Sequence, residues 1–73
     1  MNYEQLNQAS RDQLEAAIDA SSVEAVLDAL DTICMEKAEH IRANWQDVAL
    51  ARNWERIARK IEVARREAGE IGI

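Results

Sequence analysis

The chain has 73 residues, a net charge of −5 and 48% hydrophobic content, and 13 of its residues are alanine. One small domain is the most this length allows, and such a chain buries only about 60% of the surface its unfolded form exposes. The single cysteine, Cys34, excludes an internal disulfide, so the missing burial is expected from oligomerisation or tight helix packing, with a dimer favoured.

No uninterrupted apolar run approaches the roughly 18 residues needed to span a bilayer, which excludes a membrane protein. No basic, then apolar, then small-residue leader opens the sequence, so it reads as cytoplasmic. The charge is uneven along the chain: residues 1 to 36 hold eight acids against Arg11, and residues 37 to 73 hold eight bases against six acids, giving −7 and +2. Attraction between neighbouring antiparallel helices explains that asymmetry without a charged partner.

There is no proline, and the two glycines, Gly69 and Gly72, lie near the C-terminal end, so helix is favoured almost throughout. The boundaries must come from caps. Ser10 with Gln13 fits a capping box, in which the serine oxygen accepts from an early backbone N–H and the later side chain reaches back. This predicts a first helix over 11–20, with a further helical turn over 2–9 carrying Tyr3 and Leu6 as an alternative to a mobile arm. Ser21 with Glu24 opens the second helix in the same way, over 22–43. Its apolar positions Val23, Leu27, Leu30, Cys34, Ala38, Ile41 and Trp45 fall on one helical face, widened by Val26 and Ile33.

The third series, Leu50, Trp54, Ile57, Ile61, Ala64 and Ala68, alternates steps of four and three, the pattern of a coiled-coil seam. From Trp45 to Leu50 is a step of five, and nine residues put Trp45 and Trp54 on opposite sides of one continuous helix. A turn near 43–46 resolves that conflict, with Asn44 as N-cap and Asp47 in the first turn; one long kinked helix is the less favoured alternative. The third helix is then expected over 46–68, with Gly69 as its stop and 69–73 frayed. The fold expected is all-α: an antiparallel helical hairpin with a shorter N-terminal helix packed across it, pairing into a dimeric bundle. Val23, Leu27, Leu30, Ile41, Trp54, Ile57 and Ile61 are the expected oligomer seam.

No motif carries a reaction. His40 and Cys34 are the only residues of their types, too few for a structural zinc site within one chain. Lys37 stands where the Glu of a Glu-x-x-His metal motif would be, leaving Glu36 and His40 to pair on the surface. Cys34 lies in an apolar stripe, far from the electropositive setting of a reactive thiol. Without a phosphate-binding glycine loop or a nucleophile with its base, neither an enzyme nor a cofactor is expected.

Three surfaces remain. Asn44, Trp45, Gln46 and Asp47 are the candidate protein-binding cluster, since tryptophan is enriched among residues that dominate binding energy; Trp54 belongs to the apolar seam. Arg52, Arg56, Arg59 and Lys60, with Arg65 and Arg66 further on, recur at helical spacing and form a candidate anion-binding stripe for nucleic acid or a small ligand. Glu55 and Glu62 interrupt it, and pairing with the acidic second helix, within or between subunits, is the stronger expectation. Glu15, Asp19, Glu24, Asp28, Asp31 and Glu36 could imitate nucleic acid toward a basic protein. The favoured reading is a noncatalytic protein-interaction module: an adaptor, inhibitor or regulatory accessory protein of the small helical kind found in bacteria and phages, acting as a homo-oligomer with an unidentified protein partner.

Overall fold

The computed structural model describes residues 5–73. They form three helices, α1 (Gln8–Ala20), α2 (Val23–Asn44) and α3 (Val48–Ile71), with no strand among the described residues. Tyr3, and with it part of the expected turn over 2–9, lies outside them.

Each helix starts at a cap other than the expected one. α1 opens on Asn7, whose side chain accepts from the Ser10 backbone N–H at 2.8 Å. Gln8 and Ala9 are good helix formers, so the earlier of two competent caps prevails and Ser10 becomes helical. At the next junction two adjacent serines divide the work. Ser21 closes α1, its hydroxyl donating to the Ala17 carbonyl at 2.6 Å. Ser22 is extended and opens α2, its oxygen accepting from the Ala25 N–H at 2.9 Å. Helix α3 begins beyond Asp47, which accepts from the Leu50 N–H at 3.0 Å, and not after Asn44.

α2 and α3 form the antiparallel hairpin. Their buried residues are mostly small: Cys34 and Ala38, with the larger Ile41, from α2, and Ala51, Ala58 and Ala68 from α3. Ala38, Ile41 and Ala51 form one cluster, with Trp54 packed on its edge. This corrects the expected register of α3. The inward line runs through the alanines, and the larger members of the series lie beside it: Leu50 and Ile57 are exposed, while Trp54 and Ile61 are half-buried. Alanines let two backbones approach closely, so they occupy the tightest part of the contact and the longer side chains flank it.

The far end of the hairpin is also ordered differently from expectation. Gly69 does not stop α3, which continues to Ile71 and ends on Gly72 in the left-handed conformation at φ 81°. Only glycine adopts that cap without strain. Residue 73 is held too: the Ile73 carbonyl accepts from the Glu24 backbone N–H at 3.1 Å. Beside Gly69 lies the Glu24 carboxylate, whose Oε2 would be 2.7 Å from a Cβ there and, as the end of a flexible side chain, would have to shift to admit one. That carboxylate, lying over the glycine, takes a 3.3 Å bond from Arg65, which also pairs with Glu62 at 2.7 Å.

The N-terminal helix is not packed across the hairpin. It approaches α2 slightly and α3 not at all, and none of its residues is buried.

Candidate interaction surface

The hairpin turn consists of Trp45, Gln46 and Asp47. The Trp45 and Gln46 backbone N–H groups both donate to the Ile41 carbonyl, at 2.9 and 3.0 Å, closing α2. Gln46 then takes φ 55°, a left-handed conformation that reverses the chain at some steric expense. Of the four residues in the expected binding cluster, two have structural duties. Asp47 caps α3, and Asn44 donates through Nδ2 to the His40 carbonyl at 3.0 Å, lying 3.1 Å from the His40 Nδ1. His40 is therefore engaged by Asn44, with no hydrogen bond to Glu36 among the described residues. Trp45 is 72% exposed at the tip. The two tryptophans thus part company: Trp54 packs on the core and Trp45 stands in solvent.

The two flanks of the hairpin differ in chemistry. One is polar, crossed by Arg42 and Glu55 in a two-bonded ion pair at 3.0 Å and, toward the other end, by Glu24 and Arg65. Arg42 holds the Glu55 carboxyl below its ordinary range, with smaller help from Arg59 and Arg52. Arg65, then Arg66, hold the Glu62 carboxyl at about 2. The opposite flank carries exposed apolar side chains, with Glu36, Lys37 and His40 around Ile33 on α2. Nine residues separate Ile33 from Arg42 and two separate Glu55 from Ile57, turns of about 180° and 200° around a helix, so both isoleucines lie away from the ion pair. Leu50, Asn53, Trp54 and Ile57 line a shallow hollow on α3. Its neighbour along the helix is lined by Asn53, Arg56, Ile57 and Lys60, which gives the apolar hollow a basic rim.

This arrangement divides the expected oligomer seam. Ile41 is buried inside the hairpin and Val23 and Leu27 are half-buried, whereas Leu30 and Ile57 remain exposed, Ile57 at 55%. Trp54 and Ile61 lie between the two environments. The basic stripe is also clarified. The acidic partners reached across the hairpin belong to Arg42 and Arg65, while Arg52, Arg56, Arg59 and Lys60 make no salt bridge among the described residues. The expected pairing with α2 inside one chain is thus met at Arg65 and not at Arg52, Arg56, Arg59 or Lys60 among the described residues. Among the expected acidic residues, Glu24 is engaged by Arg65, and Glu15, Asp19, Asp28 and Glu36 are exposed.

Much apolar surface is left uncovered. Leu14 and Ile18 of α1, Leu30 and Ile33 of α2, and Leu50, Ile57 and Val63 of α3 are all exposed. The accessible surface is 6019 Å², against about 4,600 Å² expected for a compact monomer of this mass. The radius of gyration is 14.0 Å, where a compact chain of this length has about 11 Å. Cys34 is buried, and no group of three or more His, Cys, Asp or Glu side chains is placed to hold a metal ion among the described residues. Nor is any helix there long and apolar enough to cross a membrane.

Compared with known proteins, the chain matches no family model, and no curated protein or solved structure is significantly similar to it.

Proposed function

We propose that this chain is a noncatalytic protein-interaction module that acts as a homo-oligomer, a dimer in its simplest form, and presents the Trp45 tip to a different protein. The observation that carries the reading is the set of large apolar side chains left exposed on all three helices. The total accessible surface, polar and apolar together, is about 1,400 Å² more than that of a compact monomer of this mass, and a standard interface removes about 800 Å² from each partner. Trp45 stands exposed at the hairpin tip, outside the lining of the Leu50 and Ile57 hollow, where an exposed aromatic is suited to anchoring a partner.

Solution mass against concentration, by light scattering on a sizing column at low and high salt, tests this reading. A mass of two or more chains at micromolar concentration is expected; a monomer at every concentration would contradict the oligomeric part. Trp45→Ala should leave that mass unchanged.

A second reading is supported by the unpaired basic stripe: Arg52, Arg56, Arg59 and Lys60 could bind nucleic acid or a small anion. It predicts salt-sensitive binding of an anionic ligand, abolished by Arg56→Glu with Arg59→Glu while helicity and oligomeric mass are retained.

A further inference from the structure

Two surfaces of this chain are left exposed among the described residues, and their lengths and charges correspond. On α1, Leu14 and Ile18 are one turn apart and exposed, with Glu15 and Asp19 each one residue further on, about 100° round the helix. The apolar stripe is thus bordered on one side by Glu15 and Asp19, with Arg11 one turn before Glu15 on that side. On α3, the exposed hollow of Leu50, Trp54 and Ile57 is bordered by Arg56 and Lys60, neither of which makes a salt bridge among the described residues. α1 has 13 residues and is therefore about 20 Å long, and the α3 stripe from residue 50 to 61 covers about 17 Å. The chain's own α1 is kept off this stripe by the serine junction. Ser21 closes one helix and Ser22 caps the next with no residue between them, and α1 makes no approach to α3.

We infer that α1 of one copy seats on the α3 hollow of a second copy, and reciprocally, with Glu15 and Asp19 against the partner's Arg56 and Lys60. This deepens the homo-oligomer reading above and rests on it. Two-fold symmetry closes the arrangement, since each copy supplies one arm and one hollow. It also gives the basic stripe, unpaired within the chain, acidic counterparts between chains.

The test uses two charge-reversed versions of the full chain. One carries Glu15→Lys with Asp19→Lys and the other Arg56→Glu with Lys60→Glu; all four positions are exposed, so helicity by circular dichroism should be unchanged. Each alone sets like charges against each other at both contacts and should weaken dimerisation at least tenfold, eluting as monomer where the unmodified chain is a dimer. Mixed together they should form a heterodimer, because arm and hollow are then opposite in sign at both contacts. Leu14→Asp, which removes the apolar part of the arm, should give a monomer that mixing does not rescue.

Reversed chains that stay dimeric, or that remain monomeric when mixed, would overturn the inference while leaving the homo-oligomer reading standing. A single chain carrying all four reversals that regains a compact monomer would show the arm folding onto its own hairpin and would also overturn it. An unmodified chain that is monomeric throughout would overturn both readings.

Discussion

The α2–α3 hairpin and the α1 arm are built from the same kinds of residue and end in opposite conditions. Both are amphipathic, and both have well-formed caps. The hairpin supplies its own partner: each long helix offers a row of small side chains to the other, and Ala51 and Ala58 are 0% and 1% exposed. α1 has a stripe of comparable character, yet among the described residues it meets only α2, slightly, and none of its side chains is buried. Helix propensity and caps are therefore enough to define a helix, but only packing makes it part of a core.

The sharpest way to break this contrast is to remove one apolar side chain from each region. Ile41→Ala, in the hairpin core, should reduce stability by about 2–4 kcal/mol, a large share of the roughly 4–11 kcal/mol expected for a chain of this length. Leu14→Ala should change it by less than about 0.5 kcal/mol in dilute solution, as read by urea denaturation of both variants below the concentration at which the chain associates. Next in size is overpacking. Ala58→Leu should destabilise the hairpin by about 1–3 kcal/mol, whereas Ala16→Leu, on the exposed α1, should have no comparable effect.

Smaller effects belong to the turn. Asp47→Ala removes the α3 cap and should lower stability by about 1 kcal/mol. Gln46→Gly relieves the positive φ and should raise it by about 0.5–1 kcal/mol. The smallest effect concerns acid. The Glu62 carboxyl is held at about 2, below its ordinary 4.5, by Arg65 and then Arg66. A lowered carboxyl pKa stabilises the fold above its ordinary value, and that contribution is lost as pH falls from about 4.5 toward 2. The thermal midpoint should decline across that window, more weakly in high salt and less steeply in Glu62→Gln.

The all-helical character was legible in the sequence, because no proline or glycine occurs before Gly69 and the apolar spacing keeps helical period. The turn between the tryptophans was legible too, since a step of five cannot be carried on one face. Which of two neighbouring caps would act was not: Asn7 and Ser10, or Ser21 and Ser22, are chemically equivalent candidates, and the choice depends on the chain geometry around them. The orientation of α3 was hidden for a different reason. Periodicity weights Leu50 and Ile57 above Ala51 and Ala58, yet close helix approach selects the alanines. Gly69 resembled a helix stop because glycine favours that role, yet the left-handed cap falls on Gly72 three residues later. Trp45 and Trp54 are the same residue type, and only the position of the turn separates the exposed one from the packed one.

The account turns on α1 being an arm that is covered only when a second copy is present. Amide hydrogen exchange followed as a function of protein concentration reads this directly. The predicted result is that α2 and α3 are protected at every concentration, while α1 exchanges quickly when dilute and gains protection as the dimer forms. Protection of α1 equal to that of the hairpin in the dilute monomer, or an α1 still unprotected in the fully formed oligomer, would contradict it.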